Sequence, residues 1–328
     1  MPSLSIAMAT YNGGPFIRAQ LDSLANQSLR PSELVITDDG SSDNTLEEIR
    51  RFSATAPFPV SVHENPKNLG YARNFAKALG MTTGEIVFPC DQDDVWMPDK
   101  IARMVTEFEV RSETALILCD TLLCDGTLTP NGQTKLGQIR ANGLPDTAHV
   151  MGCCIAVRRQ LLDLALPQPE DAHAHDNWLV QIADELQISM RLERPLQYYR
   201  LHGKNASDFF VNSARKQTAG DWVRHKLRRL MHELTSPSGL AAEQATLALL
   251  YTHMAQRAEG FSQLCGQETY LQAIQHIGQK RDILARRMAI RSSNRLHRPS
   301  AILSLWREKG YGNSRRFMRA LKDFVISG

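Results

Sequence analysis

The 328-residue chain has no apolar run near the roughly 18 residues that a membrane-spanning helix needs. Its start, Met1-Pro2-Ser3-Leu4-Ser5-Ile6, lacks the basic and apolar regions of a secretory leader, so a cytoplasmic protein is expected. Cysteine is sparse: Cys90, Cys119, Cys124, Cys153, Cys154 and Cys265 form no C-x-x-C pair. Neither a zinc site nor a disulfide framework is indicated, and buried free thiols are expected. No G-x-G-x-x-G follows the first strand-like run and no G-x-x-x-x-G-K-[ST] loop occurs, which disfavours a nicotinamide enzyme and a phosphate-loop nucleotidase. Internal repeats and low-complexity segments are also absent.

Composition is that of an ordinary globular protein, but charge is unevenly spread. Residues 1–212 hold 18 Lys and Arg against 27 Asp and Glu, a balance of −9; residues 213–328 hold 20 against 8, a balance of +12. Parts that differ so much in sign are expected to meet different partners. The chain is too long for one small core and divides into a domain over 1–212 and a basic helical region over 213–328.

Short apolar runs at 4–9, 33–38, 60–63 and 85–90 alternate with segments of helical period at 15–27, 43–52, 70–79 and 98–111. This rhythm predicts an α/β domain with a mostly parallel sheet covered on both faces. Ligands of such sheets bind beyond the carboxyl ends of the strands. There lie Thr10-Tyr11-Asn12-Gly13-Gly14, Asp38-Asp39-Gly40-Ser41-Ser42-Asp43 and Asp91-Gln92-Asp93-Asp94, which would line one crevice. Residues 121–148 suggest a long irregular connection, followed by an extended run at 150–157, a helix over 176–186 and a second extended run at 196–201. Past 213 the β signal stops. Val223, Leu227, Leu230, Met231 and Leu234 share one helical face with Arg224, Lys226, Arg228 and Arg229 largely elsewhere; Phe317, Met318, Leu321, Phe324 and Val325 repeat the arrangement with Arg315, Arg316, Arg319 and Lys322.

Asp91, Asp93 and Asp94 put three carboxylates within four residues at the end of a buried strand. Like charges that close raise one another's pKa unless a cation neutralises them. Hard oxygen ligands suit Mg²⁺ or Mn²⁺ and leave positions open for a substrate's phosphates. An EF-hand is excluded, since position 95 is valine and the required glycine and glutamate are missing. The plainer alternative is negative charge at the start of the helix beginning at Pro98, where it complements the helix dipole; Asp94 fits that alternative best. Asp39 ends the second strand, where a carboxylate can accept the imide N–H of uracil or thymine with Tyr11 packed on the base, or simply form a turn.

Together these segments resemble an inverting family 2 glycosyltransferase of the GT-A fold, a Rossmann-like sheet with helices on both faces. The matching residues are Ser5-Ile6-Ala7-Met8-Ala9-Thr10-Tyr11-Asn12, the Asp38 to Asp43 segment, Asn68-Leu69-Gly70-Tyr71-Ala72-Arg73-Asn74 and the acidic motif, in the right order over residues 3–210. The variant Asp91-Gln92-Asp93-Asp94-Val95-Trp96 is similar to the rhamnosyltransferase subgroup of surface-polysaccharide assembly. The resemblance implies a nucleobase site at Ala9, Thr10, Tyr11 and Asp39, with Asp91 near the ribose and Arg73 near the diphosphate. It implies Asp93 as metal ligand, with Asp91 and His202 able to join it, and leaves Asp94 to orient the donor sugar or cap the helix. His175-Asp176-Asn177-Trp178 is similar to the segment bearing the catalytic base, which implies Asp176 in that role; as an N-cap residue it would be structural only, and the role of His175 is open. Tyr199-Arg200-Leu201-His202-Gly203-Lys204-Asn205 resembles the closing motif, with Arg200 facing the diphosphate.

The implied reaction is Mn²⁺- or Mg²⁺-dependent transfer of a sugar, with inversion, to a glycan or lipid-linked saccharide of the cell surface, such as O-antigen. The donor expected first is deoxythymidine-diphosphate rhamnose, with a uridine-diphosphate hexose or another nucleotide hexose as alternative. Two other classes are weaker. A sugar nucleotidyltransferase needs a glycine-rich basic loop after the first strand, and no Lys or Arg precedes Arg18; intact Asp93 and Asp176 speak against a non-catalytic glycan-binding relative. The basic helices suit an anionic membrane surface, a cap on the catalytic domain or a second subunit of a homo-oligomer. Nucleic-acid binding has no motif behind it.

Overall fold

In a computed structural model, residues 1–172, 174–202, 239–312 and 316–326 are described. The sequence alternates β1 (Leu4–Thr10), α1 (Ile17–Ala25), β2 (Glu33–Asp38), α2 (Thr45–Ser53), β3 (Val60–Glu64), α3 (Tyr71–Met81) and β4 (Ile86–Cys90). β1 is buried at every position, as a central strand covered on both faces must be. It pairs in parallel with β2 on one side and β4 on the other, setting Met8 beside both Ile36 and Cys90. β3 extends the parallel run beyond β2. The chain therefore runs outward from β1 to β3 and returns to place β4 on the opposite side of β1, which creates a switch point, and hence a crevice, beyond the carboxyl ends of β1 and β4.

The remainder is mixed. β5 (Val95–Trp96), α4 (Lys100–Val110), β6 (Leu116–Cys124), β7 (Pro130–Thr134), α5 (Lys135–Ala141), β8 (Ile155–Arg158), α6 (Arg159–Ala165), α7 (His175–Glu185) and β9 (Ser189–Arg200) complete a sheet of order β3-β2-β1-β4-β8-β6-β9-β5, with β7 on β6. β8 is antiparallel to both β4 and β6, whereas β9 runs parallel to β6 and sets Tyr198 opposite Val95 of β5. That pairing carries the end of β9 to the acidic segment.

Two expectations need correction. The segment 121–148 is not irregular: β6 continues to Cys124, and β7 and α5 follow. Local polar bonds build it, since the Asp125 carboxylate accepts from the backbone N–H groups of Thr127 and Thr129, and the Thr134 hydroxyl caps α5 by accepting from Gly137. The run at 150–157 is strand only from Ile155, after a 3₁₀ turn at Gly152–Cys154. The predicted elements include neither β6 nor α6.

The C-terminal helices are α8 (Gly239–Gln256), α9 (Ala258–Cys265), α10 (Gln267–Ser292), α11 (Arg298–Arg307) and α12 (Arg316–Val325). Two packing units result: Met1–Lys216 with Gly260–Gly266, and Gln217–Glu259 with Gln267–Gly328. In the second unit Ile290, Leu305, Tyr311 and Ala320 form a small core. Within it Asp323, fully buried, accepts from Arg287 Nε at 2.8 Å and Arg291 Nε at 2.8 Å. The predicted helix around 223–234, the segment Gly203-Lys204-Asn205, Arg315 and the side chain of Met318 lie outside the described residues. Among those described, no helix is long and apolar enough to cross a membrane.

Candidate active site

Three loops meet beyond β1, β2 and β4, and their motif residues bind one another. Thr10 Oγ1 donates to Asp38 Oδ2 at 2.7 Å, and Asp38 also accepts from the backbone of Gly40 and Ser41. Tyr11 exchanges two hydrogen bonds with the Gln92 side chain, at 2.9 and 3.0 Å, so the amide bridges the ends of β1 and β4. A Cβ at Gly13 would lie 2.2 Å from Gln92 Oε1, so a side chain there would push the bridging amide aside. Ala9 and Thr10 are buried, while half of Tyr11 is exposed at the mouth. Asp39 is buried and accepts from Asn65 Nδ2 at 2.9 Å, Leu69 N at 2.7 Å and Gly70 N at 2.8 Å. Gly70 has φ 82°, a conformation suited to glycine. The Asp39 and Asn68-Leu69-Gly70 motifs are thus two halves of one clamp.

The acidic residues differ sharply. Asp94 is fully buried; it accepts from Arg200 N at 3.1 Å and Gln197 Nε2 at 3.0 Å. Lys100, equally buried, donates to Gln197 Oε1 at 2.5 Å and Cys153 O at 2.6 Å and rests over the Trp96 ring. Asp93 Oδ2 lies 2.8 Å from His202 Nε2, and His202 stacks on Phe16. Arg200 is buried with its Nε on Asp93 O at 2.8 Å and Nη1 on Gly126 O at 3.0 Å, so it grips the acidic loop by its backbone. Arg73 is mostly exposed, 3.9 Å from Glu170.

Crowding sets the charge. Burial first, then the neighbouring Asp93, pushes Asp91 up to about 7. Asp94 is pushed well above the ordinary carboxylate range by burial, then by Asp93 and Asp91. A cation would relieve this repulsion, and carboxylate oxygens with one imidazole suit Mn²⁺ or Mg²⁺. Ligand atoms of Asp91, Asp94 and Cys153 also lie within 4.8 Å of one another; the thiol makes that set a poorer match to a hard cation.

Asp176 stands at the second position of α7, whose N-cap is Ala174, and accepts from Asn177 N at 2.7 Å. Its charge contributes to the rise of Asp91, which puts both in one field. His175 is only 4% exposed and stacks on Phe75 at 4.2 Å, and among the described residues neither ring nitrogen has a hydrogen-bond partner. Burial lowers its pKa, so the ring is neutral at neutral pH. Gly152 passes over it: a Cβ there would sit 2.7 Å from His175 Nε2 and 3.5 Å from Asp176 Cβ.

The structure therefore brings Thr10, Tyr11, Asp39, Asp91, Asp93, Asp94, Arg200 and His202 to one crevice, with Asp176 in the same field and Arg73 apart beside Glu170. Sequence reasoning missed Gln92, Phe16, Lys100, Cys153, Gly152 and Gln197. Only Gln92 carried a signal, being inside the acidic motif.

Residues 5–164 match the family model described as glycosyl transferase family 2. An uncharacterized glycosyltransferase of Nostoc is 28% identical over 214 residues, 62% of this chain and 66% of that protein. Chondroitin synthase of Pasteurella multocida is 32% identical over 135 residues, 40% of this chain and 14% of the synthase. The chain thus spans less than two thirds of the length of these relatives. Among solved structures, S. aureus TarS in complex with UDP superposes with a TM-score of 0.53 at 17% identity, covering 98% of this chain and 89% of that one, and its complex with UDP-GlcNAc gives 0.52 at 17% identity, with coverage of 98% and 89%. The motifs, the switch-point crevice and the match over residues 5–164 agree: the chain has the GT-A fold, and this part of it is similar to family 2 glycosyltransferases.

Proposed function

We propose that the chain is a divalent-cation-dependent, inverting hexosyltransferase of cell-surface polysaccharide synthesis, with a catalytic domain over 1–212 and a basic helical region over 213–328. The observation that carries this reading is the crowding of Asp91, Asp93 and Asp94 in the same field as Asp176, beyond the strand ends of a domain similar to family 2 glycosyltransferases.

In this reading Ala9, Thr10 and Tyr11 border the nucleobase and Asp39 fixes the loop around it. Asp91 faces the ribose and Arg200 adds positive charge near the diphosphate; Arg73, beside Glu170, would have to leave that pair to join it. Asp93, with Asp91 and His202, would hold Mn²⁺ or Mg²⁺, which supplies Lewis-acid stabilisation of the departing diphosphate. Asp176 takes the proton of the acceptor hydroxyl on the face opposite the nucleotide, which inverts the anomeric carbon. Asp94 keeps the loop in register through Gln197 and Arg200.

The first donor is deoxythymidine-diphosphate rhamnose, supported by the Asp-Gln-Asp-Asp-Val-Trp motif; a uridine-diphosphate hexose is the alternative, supported by the UDP complexes of the S. aureus neighbour. The acceptor is a glycan or lipid-linked saccharide, met at the cytoplasmic face of the membrane. A thermal-shift panel of nucleotide sugars with and without Mn²⁺ tests the reading. Cation-dependent stabilisation by thymidine or uridine diphosphate sugars is expected; indifference to every nucleotide would overturn it.

A further inference from the structure

Helix α12 (Arg316–Val325) is strongly amphipathic, yet it is docked with its apolar side outward. Phe317 is 68% exposed, Leu321 36%, Phe324 45% and Val325 50%, and helical geometry sets these four within about 100° of arc. The side turned inward carries Ala320 and Asp323. This orientation is enforced by polar anchors. Asp323 binds Arg287 and Arg291, Arg298 Nη1 donates to the carbonyls of Phe324 at 2.9 Å and Ile326 at 3.1 Å, and Arg316 lies over the Trp306 ring at 4.1 Å. Turning the phenylalanines inward would break each of these, so the apolar stripe stays outside.

The exposed charge on the helix itself has one sign. The helix carries Arg316, Arg319 and Lys322, and its single acid, Asp323, is buried between two arginines. Residues 239–328 hold 14 Lys and Arg against 6 Asp and Glu, a balance of +8. Like-charged surfaces oppose pairing with a second copy, whereas an anionic surface complements them. An apolar stripe with aromatic residues, bordered by basic ones, suits the boundary between headgroups and acyl chains.

We infer that α12 is an interfacial membrane-binding helix, which lays Phe317, Leu321, Phe324 and Val325 into the surface of an anionic phospholipid bilayer. The inference rests on the membrane-facing acceptor proposed above and narrows the contact to one helix face.

The test is sedimentation of the full-length protein at low salt with vesicles of phosphatidylglycerol and phosphatidylcholine, and with phosphatidylcholine alone. Binding to the anionic vesicles is expected, with an about tenfold or greater loss of partitioning in the doubly substituted Phe317→Glu, Phe324→Glu protein. Phe317→Ser alone, with an unchanged melting temperature, is expected to lower it by a smaller factor. Undiminished binding by the double variant would assign the contact to another segment. No binding by the wild type, or a dimer in gel filtration that the double variant abolishes, would likewise overturn the inference. Nucleotide stabilisation with Mn²⁺ is measured on the same samples; if it persists while vesicle binding fails, the transferase reading stands without the helix.

Discussion

Asp93 and Asp176 are both partly buried acids, but their neighbours prepare them for different work. Asp93 faces an imidazole at 2.8 Å, whereas among the described residues Asp176 has only the adjacent Asn177 as a bonded donor, through its backbone and amide N–H groups. Asp93→Ala is expected to lower transfer by on the order of 10²-fold or more at saturating Mn²⁺, and Asp176→Asn by roughly 10²- to 10⁴-fold with nucleotide affinity intact; wild-type rates in either would sink its assignment. Gly152→Ala tests the ground under Asp176. The new methyl meets the buried His175 ring, which has no slack against Phe75, so kcat should fall more than the KM for the donor. An unchanged kcat would mean that the turn yields without moving α7. Asp91, Asp93, Asp94 and Asp39 were legible because acid at a strand end is a local signal. Lys100 was not: its partner Gln197 is 97 residues away and arrives only through the register of β9 on β5 and β6.

At the scale of elements, apolar periodicity found the parallel half of the sheet because each strand and crossover helix there carries its own pattern. It missed β7 and α5, which are fixed by the Asp125 turn and the Thr134 cap. It also found the apolar stripe of α12 while hydrophobicity alone would have turned that stripe inward. The buried aspartate decides otherwise. Asp323→Ala would leave Arg287 and Arg291 in the interior with their shared carboxylate gone, a loss of about 3–5 kcal/mol. The check is a urea titration followed by circular dichroism; an unchanged midpoint would show that the arginines find water or another acceptor.

For the whole molecule, pH and cation binding are linked through Asp91. A carboxyl ordinarily near 4 in the unfolded chain, and at about 7 when folded, keeps a proton that the unfolded chain has released. Folding stability from this group therefore falls as pH rises between about 4 and 7 and levels off above that. Cation binding needs the ionised form, so the rise in melting temperature produced by Mn²⁺ should be small near about pH 5.5 and reach a plateau above about 7.5. A pH-independent Mn²⁺ effect would separate Asp91 from the cation. The clamp on Asp39 has a further consequence, in time rather than in energy. Because its carboxylate already holds the amides of Leu69 and Gly70, the loop before α3 is ordered before any nucleotide arrives. Those two amides should exchange slowly with deuterium in the free protein, and donor association loses nothing to waiting for that loop.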